Sequence, residues 1–247
     1  MPAPRFGLLT LDAFLDVLGS ASPSPGGGAA SAVAASCGAA LVAMVAALSV
    51  DRPKYAAYTV SHARHGAAGR ELTARLIMLA DEDAAAYAAF AAALKLPRET
   101  DEERVARVAA IRASARVAAD VPLRTVEACR DVVVASEALA GRSNLNAASD
   151  LAVASRLAEA AAHGAAENVI VNLPSFGDEA AAEELRGRVE TLLAEIEDLA
   201  EATRAHVERA ELRDPEPETG DPATGNTGAG APAAGSPQAT GTPETAT

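Results

Sequence analysis

Residues 29–50 read AASAVAASCGAALVAMVAALSV, a run without a single charge, and the disposition of that run decides the fold. By length alone it could cross a bilayer, since a spanning helix takes about 20 apolar residues. Its residues, however, are mostly Ala, Ser and Gly, and only Val33, Leu41, Val42, Met44, Val45, Leu48 and Val50 favour insertion strongly. A buried central helix of a soluble protein is therefore expected, with no membrane partner. Small side chains along such a helix let neighbouring backbones come close.

On either side the pattern stays helical. Alanine makes up about a quarter of the chain and aromatic residues 3%, charges recur at helical spacing between Ala, Leu and Val, and strand-like alternation is nearly missing. The expected fold class is all-α, a bundle of long antiparallel helices. Thr10 can cap a short helix with Leu11, Phe14, Leu15 and Leu18 on one face and Gly19 at its end. The uncharged helix follows from about Ala29 to Ser49. Beyond Pro53 a long helical pattern continues to about Leu96, closed by Pro97. Thr100-Asp-Glu-Glu103 is a capping box, and the helix it opens should pass Val117 before Pro122 kinks or breaks it. A further segment ends near Gly141. Another helix has Ser149 and Asp150 in its first turn and reaches Val171 before Pro174, and an amphipathic helix over about Asp178 to Leu212 completes the domain. Helices this long leave apolar flanks that a second copy can cover, so a homodimer is expected.

Residues 1–213 form one helical domain in this reading. From Asp214 to Thr247 the chain is rich in Pro, Gly, Thr and Ala and has no large apolar side chain, which predicts a disordered acidic tail. The tail holds Asp214, Glu216, Glu218, Asp221 and Glu244 and no basic residue, so of the net charge of -13 the domain keeps -8. That balance repels phosphate backbones and argues against nucleic-acid partners. Cys37 and Cys129 lie in runs of small apolar residues without metal-like spacing and read as buried, reduced thiols of a cytoplasmic protein. Asp12 and Asp16 interrupt the first apolar stretch, unlike a secretory signal. His62 and His65, and His163 with Glu167, have helical spacings that arise often without a metal, and no metal site is expected.

Three features carry chemistry. Ser22-Pro-Ser-Pro-Gly26-Gly27-Gly28 stands directly before the uncharged helix, so glycine amides converge at a helix N-terminus, a geometry that suits carboxylate or phosphate. The same composition suits an ordinary flexible lead-in. Asp81-Glu82-Asp83 falls in the middle of the long helix, with Tyr87 and Phe90 following at helical spacing. A carboxylate beside Ala84, Ala85 and Ala86 is expensive unless solvated or paired, and a solvated acidic face is the plain alternative. Finally, the turn Ser143-Asn144-Leu145-Asn146 leads to Ser149 and Asp150, while Asn168 and Asn172 share a helix face beside Val169, Ile170 and Val171 and ask for hydrogen-bond partners. Helix-end capping by those amides competes with ligand binding.

In order, SPSPGGGAASAVAASCGAALVAMV, DEDAAAYAAFAAALKLPR, VPLRTVEAC, SNLNAASDLAVAS and GAAENVIVNL resemble the successive landmarks of the cyclodeaminase/methenyltetrahydrofolate cyclohydrolase family, over roughly residues 8–210. The resemblance implies a dimeric helical enzyme acting on the one-carbon unit between N5 and N10 of tetrahydrofolate, with folate as substrate and no separate cofactor. One such activity forms 5,10-methenyltetrahydrofolate from 5-formiminotetrahydrofolate with loss of ammonia; the other hydrolyses the methenyl bridge to 10-formyltetrahydrofolate. By position, Gly26, Gly27 and Gly28 match the family's glycine loop and Asp83 its mid-helix acid, which implies an acid/base role for Asp83. Lys54 matches a basic position before an aromatic. Arg98 stands where Lys is common, and Ser143 where Gly commonly precedes Asn144. The resemblance implies that Gly26, Gly27, Gly28, Lys54 and Arg98 hold polar or anionic parts of folate, and that Asn144, Asp150, Asn168 and Asn172 orient the pterin or the one-carbon unit. Bifunctional relatives carry a formiminotransferase domain for which this chain has no room, which inclines the expectation toward the stand-alone cyclohydrolase. A catalytically silent helical interaction protein is the competing class, since a fold by itself does not establish activity.

Overall fold

A computed structural model describes residues 5–216; the expected tail beyond Glu216 lies outside the described residues. Among these residues there are six α-helices and no strand: α1 (Leu11–Leu18), α2 (Gly27–Ala47), α3 (Thr59–Ala93), α4 (Asp101–Leu139), α5 (Ala148–Ile170) and α6 (Glu179–Arg209). Thr10 caps α1 through Oγ1, Thr100 and Glu103 close the capping box of α4, and Asp178 caps α6. Only Phe14 of α1 is buried, meeting Phe6 edge to face at 5.6 Å, while Leu11 and Leu15 stay more than half exposed, so the apolar face read for this helix is only partly used.

α2 packs between α3 and α5, and α4 closes the ring of four by contacting α3, α5 and α2. Directions follow from residue pairs. Along α2, Gly28 meets Asp83 and Gly69 meets Ala39, while Ser31 meets Gly164 and Gly38 meets Ala154, so α2 is antiparallel to both α3 and α5. Glycines set the spacing: a Cβ on Gly38 would lie 2.9 Å from the Ala154 carbonyl, and one on Gly69 2.8 Å from that of Ala39. The final helix departs from the antiparallel scheme. Arg116–Asp178, Arg188–Glu127 and Arg130–Glu195 run in the same sense, so α6 lies parallel to α4.

Two expectations are corrected. Pro122 does not break α4, which continues as one helix to Leu139. The carbonyl that Pro122 leaves without its helical donor belongs to Ala118, and Nδ2 of Asn172 binds it at 3.2 Å, so the ladder's gap is filled from α5's end. Cys37 is exposed rather than buried, because it falls on the side of α2 turned away from α3 and α5; Cys129 is buried, and burial pushes its thiol pKa up to about 12.

Candidate active site

Successive residues of one helix point about 100° apart, and the acidic triplet on α3 shows the result. Asp81 accepts the backbone N–H of Phe6 at 2.6 Å, Glu82 pairs with Arg124 of α4, and Asp83 turns inward to the start of α2. There the N-cap residue Gly26 supplies no side-chain cap, and the Asp83 carboxyl occupies the space. A Cβ on Gly28 would lie 2.2 Å from Asp83 Oδ1, so only glycine admits the carboxyl so near the helix terminus. Burial raises the Asp83 pKa above the ordinary carboxylate value, and a hydrogen bond from the Ala29 amide opposes the rise without cancelling it.

The carboxyl opens into a cavity of about 430 Å³ between α2, α3, α4 and α5. Gly26, Gly27 and Gly28 form one wall, Tyr87 and Phe90 continue from Asp83 along the next turns of α3, and Asn168 and Asn172 come from the end of α5. Asn168 donates from Nδ2 to the Gly164 carbonyl at 2.8 Å, and Asn172 from Nδ2 to the carbonyls of Asn168 at 2.7 Å and Ala118. All three acceptors are carbonyls, so the nitrogens must face them, and neither amide oxygen accepts a bond among the described residues. Ser24, from the stretch singled out before α2, also lines the cavity, as do Ala118 and Ser175, which sequence reasoning missed. The only available signal was for Ala118, four residues before Pro122. Among the described residues that line the cavity there is no Lys or Arg, and Asp83 supplies the one carboxyl.

The remaining singled-out residues lie elsewhere. Asn144 is buried in the turn before α5, where its N–H donates to Ser49 Oγ at 2.8 Å and its Oδ1 accepts the N–H of Asn146. Tyr55 holds the same turn by accepting the Leu145 N–H, and Lys54 extends over the Tyr55 ring at 5.5 Å. Asp150 is half-buried in the first turn of α5. Lys54, Asn144 and Asp150 thus gather at the C-terminal end of α2, while the cavity lies at its N-terminal end, about 30 Å away by helical rise over 21 residues. Arg98 is exposed in the link from α3 to α4. His62 Nε2 meets the Arg142 carbonyl at 2.8 Å, His65 meets Glu216 at 3.1 Å, and His163 pairs with Glu197 at 3.0 Å.

Comparison with known proteins agrees with this architecture. The family model described as Formiminotransferase-cyclodeaminase matches residues 10–191. A methenyltetrahydrofolate cyclohydrolase of Methylorubrum extorquens is 40% identical over 75% of this chain and 89% of its own length. A formimidoyltransferase-cyclodeaminase of Rattus norvegicus is 37% identical, and there the chain spans 34% of the longer relative. The crystal structure of formiminotetrahydrofolate cyclodeaminase from Thermotoga maritima superposes with a TM-score of 0.75 at 27% identity, covering 83% of this chain and 98% of that one.

Proposed function

The chain belongs to the formiminotransferase-cyclodeaminase family, and on that premise we propose that it hydrolyses the methenyl bridge of 5,10-methenyltetrahydrofolate with Asp83 as general acid and base. It is a folate one-carbon enzyme of the cyclohydrolase or cyclodeaminase type. The silent interaction protein that Ala-rich helices also allow is set aside by 40% identity across most of an enzyme of this kind. The observation that carries the mechanism is the half-buried Asp83 carboxyl, its pKa raised by desolvation, in a cavity with no basic side chain among the described residues that line it. The methenyl bridge is a cationic amidinium, so a carboxylate attracts it and a Lys or Arg would repel it.

In the forward step water adds to the bridge carbon while the Asp83 carboxylate takes its proton. The tetrahedral carbon then expels N5 as its hydroxyl becomes the formyl C=O; the hydroxyl proton passes to solvent, the same carboxyl returns the first proton to N5, and the formyl group stays on N10 with one proton released overall. A pKa raised by burial keeps the proton on Asp83 long enough to be returned. Tyr87 and Phe90 offer apolar faces for the pterin, and the free amide oxygens of Asn168 and Asn172 are acceptors for its N–H groups. The reaction needs no cofactor beyond folate itself.

A cytoplasmic homodimer, with neither membrane nor nucleic acid as partner, completes this reading. α2 is uncharged, and its outward stripe of Cys37, Met44 and Leu48 stays exposed in one copy. Two α2 helices crossing head to tail across a two-fold axis would bring Lys54, Asn144 and Asp150 of one copy toward the cavity of the other. Lys54 could then meet the anionic end of folate, which the cavity of one chain leaves unmatched.

Loss of the methenyl absorbance on adding enzyme tests the chemistry, and ammonia release from 5-formiminotetrahydrofolate tests the cyclodeaminase that the Thermotoga likeness favours. A rate only in the second assay would replace the cyclohydrolase reading. For the dimer, D83N and K54A should each be inactive, and mixing them should restore activity, because one composite site in each mixed dimer is intact; no recovery would sink the shared site.

A further inference from the structure

Pro122 lies inside the 39 residues of α4, a position that normally weakens a helix, and nothing in the chain's topology requires a proline there. Proline has no N–H, and its ring crowds the carbonyl four residues earlier, so the Ala118 carbonyl is turned out of the helical ladder. Ala118 borders the cavity, and so does Asn172, whose side chain binds that carbonyl. Nδ2 of Asn172 carries two hydrogens; one goes to Asn168 O at 2.7 Å and the other to Ala118 O at 3.2 Å. With both used, the amide cannot flip without facing oxygen with oxygen, and its Oδ1 is left as an acceptor in a side chain that lines the cavity.

We propose that Pro122 is a positioning residue: by freeing the Ala118 carbonyl from α4 it locks the Asn172 amide with its oxygen presented to the substrate. This rests on the reading of the cavity as the folate site. A flat ring presenting an N–H at that point would find an acceptor already oriented, without the entropy loss of fixing a side chain on binding. The helix defect of α4 is thereby coupled to recognition at the end of α5, 50 residues along the chain.

The test uses the full-length chain with P122A, N172A and the double variant. Alanine restores the N–H at 122 and the helical bond to Ala118, so P122A should keep or raise its melting temperature. Its kcat/KM for the folate substrate should nevertheless fall about five- to tenfold, the usual weight of one oriented hydrogen bond. The double variant should be no worse than N172A alone, since Pro122 acts only through Asn172. Independently of catalysis, the Asn172 side-chain NH₂ resonances, assigned by their loss in N172A, should shift and exchange faster with solvent in P122A. Unchanged NH₂ resonances in P122A, or additive losses in the double variant, would overturn the proposal. If N172A left kcat/KM intact while the resonances moved in P122A, Pro122 would still orient the amide but the folate reading of Asn172 would fall, and with it the positioning role.

Discussion

At the scale of single residues, Asp83 separates two roles that a carboxyl at a helix terminus can have. As a cap it would favour the charged form; here burial outweighs the Ala29 hydrogen bond, and the pKa is raised. The folded protein therefore holds a proton more tightly than the unfolded chain, so Asp83 lowers stability as pH rises through its ordinary value toward its raised folded value. D83N removes that burden, and its melting temperature at neutral pH should equal or exceed that of the wild type while turnover falls about 10²–10⁴-fold. Near-normal turnover, measured per folded molecule, would remove Asp83 from the mechanism. G28A should give a related result by another route, because a Cβ there would lie 2.2 Å from Asp83 Oδ1 and must drive the carboxyl aside. We expect its turnover to drop at least tenfold with the fold intact, read by kinetics alongside circular dichroism; wild-type kinetics would mean that the carboxyl can move without consequence.

Elements bring these residues together through small side chains. Gly38 lets α2 touch the α5 backbone far from the cavity, so G38A should destabilise by about 1–3 kcal/mol in chemical denaturation and leave the rate per folded molecule unchanged. A second device ties the chain after α6 to the bundle. Tyr58 donates to the Arg213 carbonyl, Arg142 to that of Asp214, and Glu216 takes bonds from Ser61 at 2.7 Å, His65 at 3.1 Å and Arg64 at 3.3 Å. Glu216 falls within the stretch that composition assigned to the tail. Burial raises its pKa, but Ser61, His65 and Arg64 together outweigh that and hold it below its ordinary value. Its contribution is thus present above the ordinary Glu range and lost as pH falls through the lower folded value. E216Q should lower the melting temperature by about 2–4 °C at pH 7, as expected for about 1 kcal/mol in a domain of this size, and the gap should close in acid. An equal gap at pH 3 would show that the charge is not what matters.

For the whole molecule, the sequence by itself determined that the chain is helical, where most helices start and stop, and which family it resembles. Those properties reside in short-range chemistry: Thr10, Thr100 and Asp178 cap their own helices, and charge spacing between alanines repeats with the helical period. It also singled out the glycine loop, Asp83, Asn168 and Asn172, which share one cavity, because a carboxyl or amide among apolar neighbours stands out locally. Spacing did not separate the three adjacent acids and the resemblance alone pointed to Asp83; the physical reason came from tertiary structure, since 100° of helical rotation is the whole difference between Glu82 on Arg124 and Asp83 on Gly28. Only tertiary structure decided that Pro122 leaves α4 unbroken, because the donor that repairs it comes from Asn172, and that Lys54, Asn144 and Asp150 lie at the far end of α2 from Asp83. Such facts depend on contacts between residues distant in the chain, for which local propensity and spacing carry no information; they are set by how closely Gly38 and Gly69 allow α2 to approach its neighbours, and therefore by packing.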